Sequence, residues 1–306
     1  MIGPRQLLGL PAPAKINLFL HVLGQRPDGY HEIQSVFVPI GLWDILDFAS
    51  RKDGQIAREG DLTGPIEADL AVRAAHSLQR YVAQRGDSPP SQTGAGGATI
   101  RIEKRIPVGA GLGGGSSDAA TTLIALNRLW DLRLSREALM QVGRDLGADV
   151  PFFLGDGAAF VEGIGERCTP VRLPSTWFVL LFPGEHVSTA EIFADPKLTR
   201  DSKGTTISGF SAALREANPG LFGANDLEPV VRSRYPSVNQ ALDALGRFGP
   251  ARMSGSGSAV YCIVPGAVEA QRALDMLRVQ LPPRWKAWAV SGLEELPLAD
   301  WLRVGG

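Results

Sequence analysis

Residues 107–120, PVGAGLGGGSSDAA, combine five glycines, two serines and an aspartate in one short segment. Glycine lacks a Cβ atom, so such a segment can bring consecutive backbone N–H groups close to a ligand. An alternating strand precedes the segment, and a helix expected to begin near Ser116 would point its positive end at the same place. A surface loop with a serine cap is the alternative, but ordering so many glycines without a ligand costs conformational entropy. We therefore expect this segment to bind phosphate.

Two standard nucleotide motifs do not account for these glycines. Gly109, Gly111 and Gly114 formally satisfy the GxGxxG pattern of dinucleotide-binding proteins. That pattern opens a βαβ unit, whereas here the helix is followed by a second helical pattern. A Walker A loop requires Gly-Lys-Ser/Thr, and the sequence contains no Gly-Lys pair. An oxidoreductase that uses the formal GxGxxG stays open as an alternative, and tight saturable binding of NADH would support it.

Asp149 and Lys15 are further candidates for chemistry, although their spacing alone assigns neither to it. Asp149 lies in GADVPFFL, two residues after the glycine that ends a predicted helix, and there an aspartate commonly caps the next helix. Lys15 follows PAPA in an alternating strand, where a lysine usually faces solvent. Asn17 lies two residues further along and therefore on the same face of that strand. The residues alone favour a capping aspartate and a solvated lysine.

The hydrophobic pattern of the first half predicts the elements that position these residues. AKINLFLHVLG alternates as a strand, and a turn at residues 27–29 leads to a second extended segment. Helical spacing begins at Leu70 and stops at Gly86, and TIRIEKRIPV is a strand that leads into the glycine segment. Two helices follow, the second opened by Ser135 and closed by Gly147.

From about Val171 the pattern restarts as a second unit. The predicted strands are TWFVLLF, ARMSG, SAVYCIV and KAWAV. A helical region follows the first strand, and the helix AVEAQRALDMLRVQL precedes the last. The order β-α-β-β-α-β is that of the ferredoxin-like fold. With 306 residues the chain is expected to form two domains, which we divide into residues 1–168 and 169–306.

Charge and composition restrict the class of partner. The formal net charge is −1, which argues against nucleic-acid binding, since nucleic-acid-binding proteins usually carry a basic excess. Cys168 and Cys262 lie far apart without metal-ligand spacing, as in proteins of a reducing compartment. The N-terminal segment imitates a secretory signal, but Pro11 and Pro13 interrupt its short apolar part. No apolar run reaches membrane-spanning length, so we expect a cytoplasmic protein with no membrane partner.

Four motifs together resemble the GHMP small-molecule kinases. They are PAPAKINLFLHVLGQRPDGYHEIQSVFVPI, the glycine segment, GADVPFFL and RMSGSGSAVYCIV, and they occur in the family's order between residues 11 and 264. The resemblance implies an α+β fold in which an N-terminal domain like ribosomal protein S5 domain 2 packs on a ferredoxin-like domain. It also implies transfer of phosphate from ATP to a hydroxyl group, with Mg²⁺ as cofactor. The first motif is similar to members whose substrate carries a cytidine diphosphate group.

The resemblance also implies site residues. Asp149 would be the catalytic aspartate and Lys15 the lysine that pairs with it. Lys104 and the glycine segment would bind ATP: Pro107, Val108, Gly109, Ala110, Gly111, Leu112, Gly113, Gly114, Gly115, Ser116 and Ser117. Ser117 would also touch the metal, whereas the glutamate that many GHMP kinases use for Mg²⁺ has no counterpart that the sequence assigns.

The expected substrate site combines residues from both halves of the chain. The resemblance implies that Tyr30 stacks on the cytidine ring and that His31 hydrogen-bonds its edge. The other expected substrate residues are Asn17, Asp149, Thr189, Phe193, Gly255 and Ser256. Without the resemblance, Tyr30 and His31 are incidental residues beside a turn, and SGSGS (254–258) is a hairpin turn.

The substrate and the oligomeric state stay open at this point. A GHMP kinase acting on homoserine or mevalonate is the nearest alternative, and RPDGYHEIQSVF argues against it. A nucleotide sensor without catalysis is a further alternative, which would need neither Lys15 nor Asp149. We expect a monomer or a homodimer.

Overall fold

The computed structural model describes residues 5–62, 64–85, 96–216 and 222–303. The helix end expected at Gly86 lies outside these residues. The strands are β1 (Gln6–Gln25), β2 (His31–Arg51), β3 (Ile56–Gly60), β4 (Gly97–Glu103), β5 (Ala159–Glu162), β6 (Arg167–Pro170), β7 (Trp177–Phe182), β8 (Ala251–Met253), β9 (Val260–Val264) and β10 (Lys286–Ser291). The helices are α1 (Leu70–Gln84), α2 (Gly114–Leu129), α3 (Arg136–Arg144), α4 (Val150–Phe153), α5 (Thr189–Phe193), α6 (Ile207–Glu216), α7 (Glu228–Arg234), α8 (Pro236–Leu245), α9 (Ala267–Arg278) and α10 (Ala299–Arg303).

The first sheet is organised around the long hairpin of β1 and β2. Its strand order is β3-β4-β2-β5-β6, with β1 paired to β2, and only the β3–β4 pair is parallel. Register shifts in β1 lie between Pro13 and Ala14 and between Asn17 and Leu20. Such bulges bend a strand and redirect its side chains. The segment that carries Lys15 and Asn17 is therefore set off from the regular ladder on both sides.

Helices α1 to α4 bury their apolar faces against one side of this sheet. Asp69 caps α1 by accepting a hydrogen bond from the Ala71 N–H, and Ser135 caps α3 by accepting one from the Ala138 N–H. Helix α2 begins at Gly114, two residues before the start expected near Ser116. The left-handed conformation of Gly113 allows the earlier start, since it turns the chain directly into the helix.

The second sheet confirms the ferredoxin-like prediction. Its strands are antiparallel in the order β10-β7-β9-β8, which is the order that a β-α-β-β-α-β unit gives when its two halves interleave. Helices α5 to α8 occupy the position of the first predicted helical region, and α9 is the second predicted helix. One core lies mainly in this unit and includes Val179, Cys262 and Ala273, and Leu20 and Val22 of β1 also contribute to it.

The two sheets share a third core between them. Ile16 and Leu18 of β1 pack there with Phe178 of β7 and Tyr261 of β9. The Tyr261 hydroxyl donates to the carbonyl oxygen of Asn17 at 2.8 Å, which ties the second unit to the bulged segment of β1. The hydrophobic effect and this bond together hold β1 at the junction.

The boundary expected between residues 168 and 169 stays a prediction. That position lies inside β6, which pairs with β5 of the first sheet. Leu296 and Leu298, near the end of the described chain, return to the core of the first unit. Among the described residues, no helix combines the length and apolar character that crossing a membrane requires.

Candidate active site

A cavity of about 580 Å³ lies between the glycine segment, β1 and the second unit. Nearly all the site residues expected from the sequence line it. They are Lys15, Asn17, Lys104, residues 107–116, Asp149, Thr189, Phe193, Gly255 and Ser256. The structure therefore brings together residues that lie up to 241 positions apart, as the numbers of Lys15 and Ser256 show. Ser117, Tyr30 and His31 do not line the cavity.

The glycine segment adopts a conformation that other residues rarely take. Gly109, Gly111 and Gly113 all have positive φ angles, of 67°, 72° and 71°. A Cβ atom on Gly111 would overlap the Ser254 carbonyl, and one on Gly113 would lie 3.1 Å from the Lys15 side chain. These glycines thus allow the backbone to approach both β1 and the second unit.

Hydrogen bonds hold the glycine segment to the SGSGS turn. The Ser254 hydroxyl donates to the Gly111 carbonyl at 3.1 Å, and the Ala259 N–H donates to the Ala110 carbonyl at 3.0 Å. The Asn225 amide fixes the turn from behind by donating to the carbonyls of Met253 and Gly255. The turn expected from the sequence as a simple hairpin is therefore also a wall of the cavity.

Lys15 and Asp149 form an ion pair in the wall of the cavity. The Lys15 ammonium lies 3.5 Å from the Asp149 carboxylate and donates to the Asn17 side-chain oxygen at 2.6 Å. Lys15 is buried, with 4% of its surface exposed, so the reading of a solvated lysine is wrong. It also lies over the Phe37 ring, 4.5 Å from its centroid, where a cation is attracted to the π face.

Asp149 occupies the N-cap position of α4 but its side chain makes no capping hydrogen bond. The capping role favoured by spacing alone is therefore wrong. The reason is local geometry: Asp149 has helical φ and ψ angles of −81° and −13°, whereas a capping residue is normally extended. Its carboxylate is 30% exposed and remains available to accept a proton from a bound hydroxyl.

Asn17 is held in one orientation by its neighbours. Its oxygen accepts from Lys15, and its amide nitrogen donates to the Ser35 hydroxyl at 2.9 Å. Ser35 in turn donates to the Phe19 carbonyl. Since every member of this buried chain is satisfied, it fixes the direction from which Lys15 approaches Asp149.

Lys104 lies in a buried charge cluster that the sequence analysis missed. Its ammonium donates to Asp44 at 2.5 Å and to Asp118 at 2.7 Å, so it is not a free surface charge. Asp44 also accepts the N–H groups of Arg105 and Ile106. These N–H groups are therefore not available to pair with a neighbouring strand. As a result β4 ends at Glu103 and does not run into the glycine segment as expected.

The position of Asp44 could have been found from the sequence. In GLWDILDF the side chains of Leu42, Asp44, Leu46 and Phe48 alternate on one face, and all four are buried. An aspartate on the apolar face of a strand requires a buried partner, since burying an isolated carboxylate is very costly.

Burial raises the pKa of Asp118 to about 8, while the Lys104 charge lowers it.

Two oxygens beside the glycine segment have no hydrogen-bond partner within the described chain. They are the Ser117 hydroxyl and Oδ1 of Asp118, both buried in the first turn of α2. Mg²⁺ in phosphoryl-transfer sites binds hydroxyl and carboxylate oxygens together with phosphates. The donor set therefore fits Mg²⁺, and it includes the serine expected from the sequence.

A second cluster, formed by Tyr30, His31, Phe193 and Arg200, borders the cavity. The rings of His31 and Phe193 lie 5.0 Å apart, and Tyr30, which precedes His31 in the chain, is 60% exposed. Burial lowers the pKa of His31, and the Arg200 charge lowers it further. The hydroxyl groups of Thr189 and Ser256 form a hydrogen bond of 2.7 Å where this cluster meets the SGSGS turn.

Comparison with known proteins gives consistent results along the whole chain. The family described as GHMP kinases N terminal domain matches residues 69–157, and the one described as GHMP kinases C terminal matches residues 207–282. A 4-diphosphocytidyl-2-C-methyl-D-erythritol kinase of Janthinobacterium sp. (strain Marseille) is 49% identical over 94% of this chain and 96% of that protein. The protein of the same name from Herminiimonas arsenicoxydans is 47% identical over 96% and 98%.

Solved structures agree with the sequence relatives. A crystal structure of 4-(cytidine 5'-diphospho)-2C-methyl-D-erythritol kinase matches with a TM-score of 0.74 at 35% identity, over 94% of this chain and 100% of that chain. The mevalonate kinase of L. major shares the fold, with a TM-score of 0.65 at 14% identity over 96% of this chain and 97% of that one. The chain therefore belongs to the GHMP kinase family and, within it, to the 4-diphosphocytidyl-2-C-methyl-D-erythritol kinases.

Proposed function

We propose that this protein transfers the γ-phosphoryl group of ATP to the 2-hydroxyl of 4-diphosphocytidyl-2-C-methyl-D-erythritol in the non-mevalonate isoprenoid pathway. The observation that carries the proposal is the Lys15–Asp149 pair, which lies in the wall of the cavity together with the glycine segment. The names of the relatives support the choice of substrate. We place the reaction in the cytoplasm.

Asp149 accepts the proton of the attacking hydroxyl as the new P–O bond forms and the bond to the ADP oxygen breaks. Lys15 keeps the carboxylate oriented, because its ammonium is itself fixed by Asn17 and by the Phe37 ring. Phosphoryl transfer depends mainly on position and on charge neutralisation, and this rigid arrangement supplies position.

The glycine segment binds the phosphates of ATP in this proposal. Its left-handed glycines turn backbone N–H groups inward, and α2 directs its positive end to the same point. When Mg²⁺ is bound, it neutralises phosphate charge, and Ser117 and Asp118 are the residues that would hold it. Lys104 acts here by tying Asp44 to Asp118 behind the segment.

The cytidine group occupies the second cluster. Tyr30 and Phe193 offer ring faces, and His31 offers a polar edge. Thr189, Gly255 and Ser256 line the same cavity as Lys15 and Asp149, where they can contact the diphosphate and the erythritol hydroxyls.

One assay tests the proposal. Purified protein with ATP and Mg²⁺ should release ADP with 4-diphosphocytidyl-2-C-methyl-D-erythritol and should release none above background with homoserine or mevalonate. Turnover of homoserine or mevalonate without turnover of the cytidine compound would refute the proposed substrate. Binding of ATP without turnover of any of the three would favour a nucleotide sensor.

A further inference from the structure

Arg200, in the segment that follows α5, ties the second cluster together. Its guanidinium donates to the carbonyls of Leu198 at 3.1 Å, Phe193 at 2.7 Å and Asp195 at 2.9 Å. A further donor, Nε–H, points to Nε2 of His31 at 3.1 Å. One side chain thus fixes both the imidazole and the backbone of the aromatic residue that packs on it.

The bond from Arg200 determines which nitrogen of His31 carries the proton. A guanidinium has only donors and does not lose its proton in proteins. Nε2 of His31 must therefore accept the bond through its lone pair, and a neutral imidazole then carries its hydrogen on Nδ1. Protonation of Nε2 would break this bond and place two cations in contact.

Nδ1 of His31 is free to meet a ligand. Within the described chain it has no hydrogen-bond partner, and it is not among the buried unpartnered atoms, so it reaches solvent. The groups that face the ring are Arg200, from the segment after α5, and the uncharged ring of Phe193. Burial and the Arg200 charge both lower the pKa of His31, so the neutral ring with Nδ1–H is the form present at neutral pH.

A fixed donor distinguishes the two common pyrimidines. The pairing edge of cytosine presents an acceptor at N3, whereas that of uracil presents an N3–H donor. An N–H donor on His31 can hydrogen-bond to N3 of cytosine. The same donor would face the N3–H donor of uracil, and both polar groups would be left unpaired, which disfavours uracil. We propose that Arg200, by holding His31 as an Nδ1–H donor, makes the nucleobase site select cytosine over uracil. The selection rests on the proposed function, because it needs a nucleobase at this cluster.

The tautomer can be measured in the free protein without any ligand. The chain contains four histidines, His21, His31, His76 and His186, so ¹⁵N-histidine labelling gives a spectrum in which a His31→Gln variant assigns the signal of His31. We expect the Nδ1–H tautomer in the wild type at neutral pH. In Arg200→Met we expect a mixture of both tautomers. An Nε2–H tautomer in the wild type would overturn the proposal.

Selectivity is measured with CDP and UDP as the probes, by calorimetry and by competition with the substrate. In the wild type CDP should bind at least about tenfold more tightly than UDP, the size expected when one buried hydrogen bond is mismatched. Arg200→Met should lose most of this ratio, and the KM for the cytidine substrate should rise more than kcat falls. Arg200→Lys retains a donor and should recover part of the ratio.

Arg234→Met is the matched control. Arg234 binds the Asp195 side chain in the same segment without contacting His31, so its removal should leave the CDP/UDP ratio unchanged. A wild-type ratio in folded Arg200→Met would overturn the proposal. If Arg200→Met does not fold, two other measurements test the proposal: the tautomer of His31 in the wild type and the CDP/UDP affinity ratio of Arg200→Lys. A protein that binds neither CDP nor UDP would refute the proposed function and the selectivity, whereas a wrong tautomer would leave the proposed function standing.

Discussion

The Lys15 ammonium lies 3.5 Å from the Asp149 carboxylate, although one residue belongs to the first strand and the other to the start of α4. Their approach depends on Gly113, whose missing Cβ leaves room for the Lys15 stem. A buried lysine beside a partly exposed carboxylate places fixed positive charge next to the group that we propose receives the proton. This arrangement leads to the first two predictions.

Asp149→Asn should lower kcat by about 10²–10⁴-fold, the usual contribution of a positioned general base. The KM for ATP should change little, because Asp149 is separate from the glycine segment that we propose binds phosphate. Steady-state ADP release checks both values. Asp145→Asn is the control, since Asp145 is an exposed aspartate at the end of the preceding helix. Near-wild-type turnover of Asp149→Asn would remove Asp149 from the catalytic role.

Lys15→Met should lower kcat by about 10²–10³-fold, as expected when one charge that stabilises the reacting groups is removed. Methionine keeps the apolar stem over Phe37 but leaves Asn17 and Asp149 without their shared partner. Single-turnover phosphorylation at saturating ATP measures the effect on the chemical step. Lys52→Met, at an exposed lysine, should keep full activity. A Lys15→Met enzyme as fast as the wild type would show that Lys15 is structural.

The cluster of Asp44, Lys104 and Asp118 predicts unequal effects of two similar substitutions. Because Asp118 retains its proton near neutral pH in the metal-free protein, asparagine mimics it, and Asp118→Asn should change stability without Mg²⁺ by less than about 1 kcal/mol. Asp44→Asn removes the charged acceptor of Lys104 and should cost about 1–3 kcal/mol and raise the KM for ATP. Urea unfolding at neutral pH measures the difference.

The double variant of this cluster gives a sharper comparison. In Asp44→Asn the Asp118 carboxyl can still ionise and balance Lys104, whereas Asp44→Asn/Asp118→Asn leaves a buried ammonium unpaired. Its destabilisation should be about 3–5 kcal/mol and should exceed the sum of the single effects. Asp53→Asn is the control, since Asp53 forms an exposed pair with Arg51. Additive effects would show that Asp118 does not compensate.

The raised pKa of Asp118 also predicts a pH dependence of stability. Between the ordinary pKa of 3.8 and the folded pKa of about 8, the folded protein holds a proton that the unfolded chain has released. The free energy of unfolding contributed by this group is therefore fully present below the ordinary pKa and is lost as pH rises through the folded pKa. Relative to Asp118→Asn, the wild type should lose stability between about pH 5 and about pH 8. A difference that is constant with pH would contradict the assignment.

Sequence reasoning was strong where the local pattern determines structure. The alternation of WFVLLF and SAVYCIV and the helix between residues 267 and 278 predict the second sheet, and its observed strand order confirms the fold. The glycine segment was recognisable for the same reason, because its conformation depends on residues that are adjacent in sequence.

Features that depend on contacts between residues distant in the sequence could not be predicted from it. Arg200 follows an ordinary turn, and nothing local indicates that it reaches His31. Likewise the capping preference of an aspartate favoured the wrong role for Asp149, because the local pattern reveals neither its helical φ and ψ angles nor its ion pair with Lys15. Asp44 is the exception, because a charge on an apolar strand face could have been noticed.

The bonds from Ser254 and Ala259 to the glycine segment have a consequence for biosynthesis. Ribosomes make the chain from its N-terminus, and domains generally fold as they emerge. The segment at residues 107–120 is complete long before the turn that supports its Ala110 and Gly111 carbonyls has been translated. The nascent first unit therefore carries a glycine segment without its supporting turn, and we expect the enzyme to acquire activity only when the strand pair around residues 251–264 has been added.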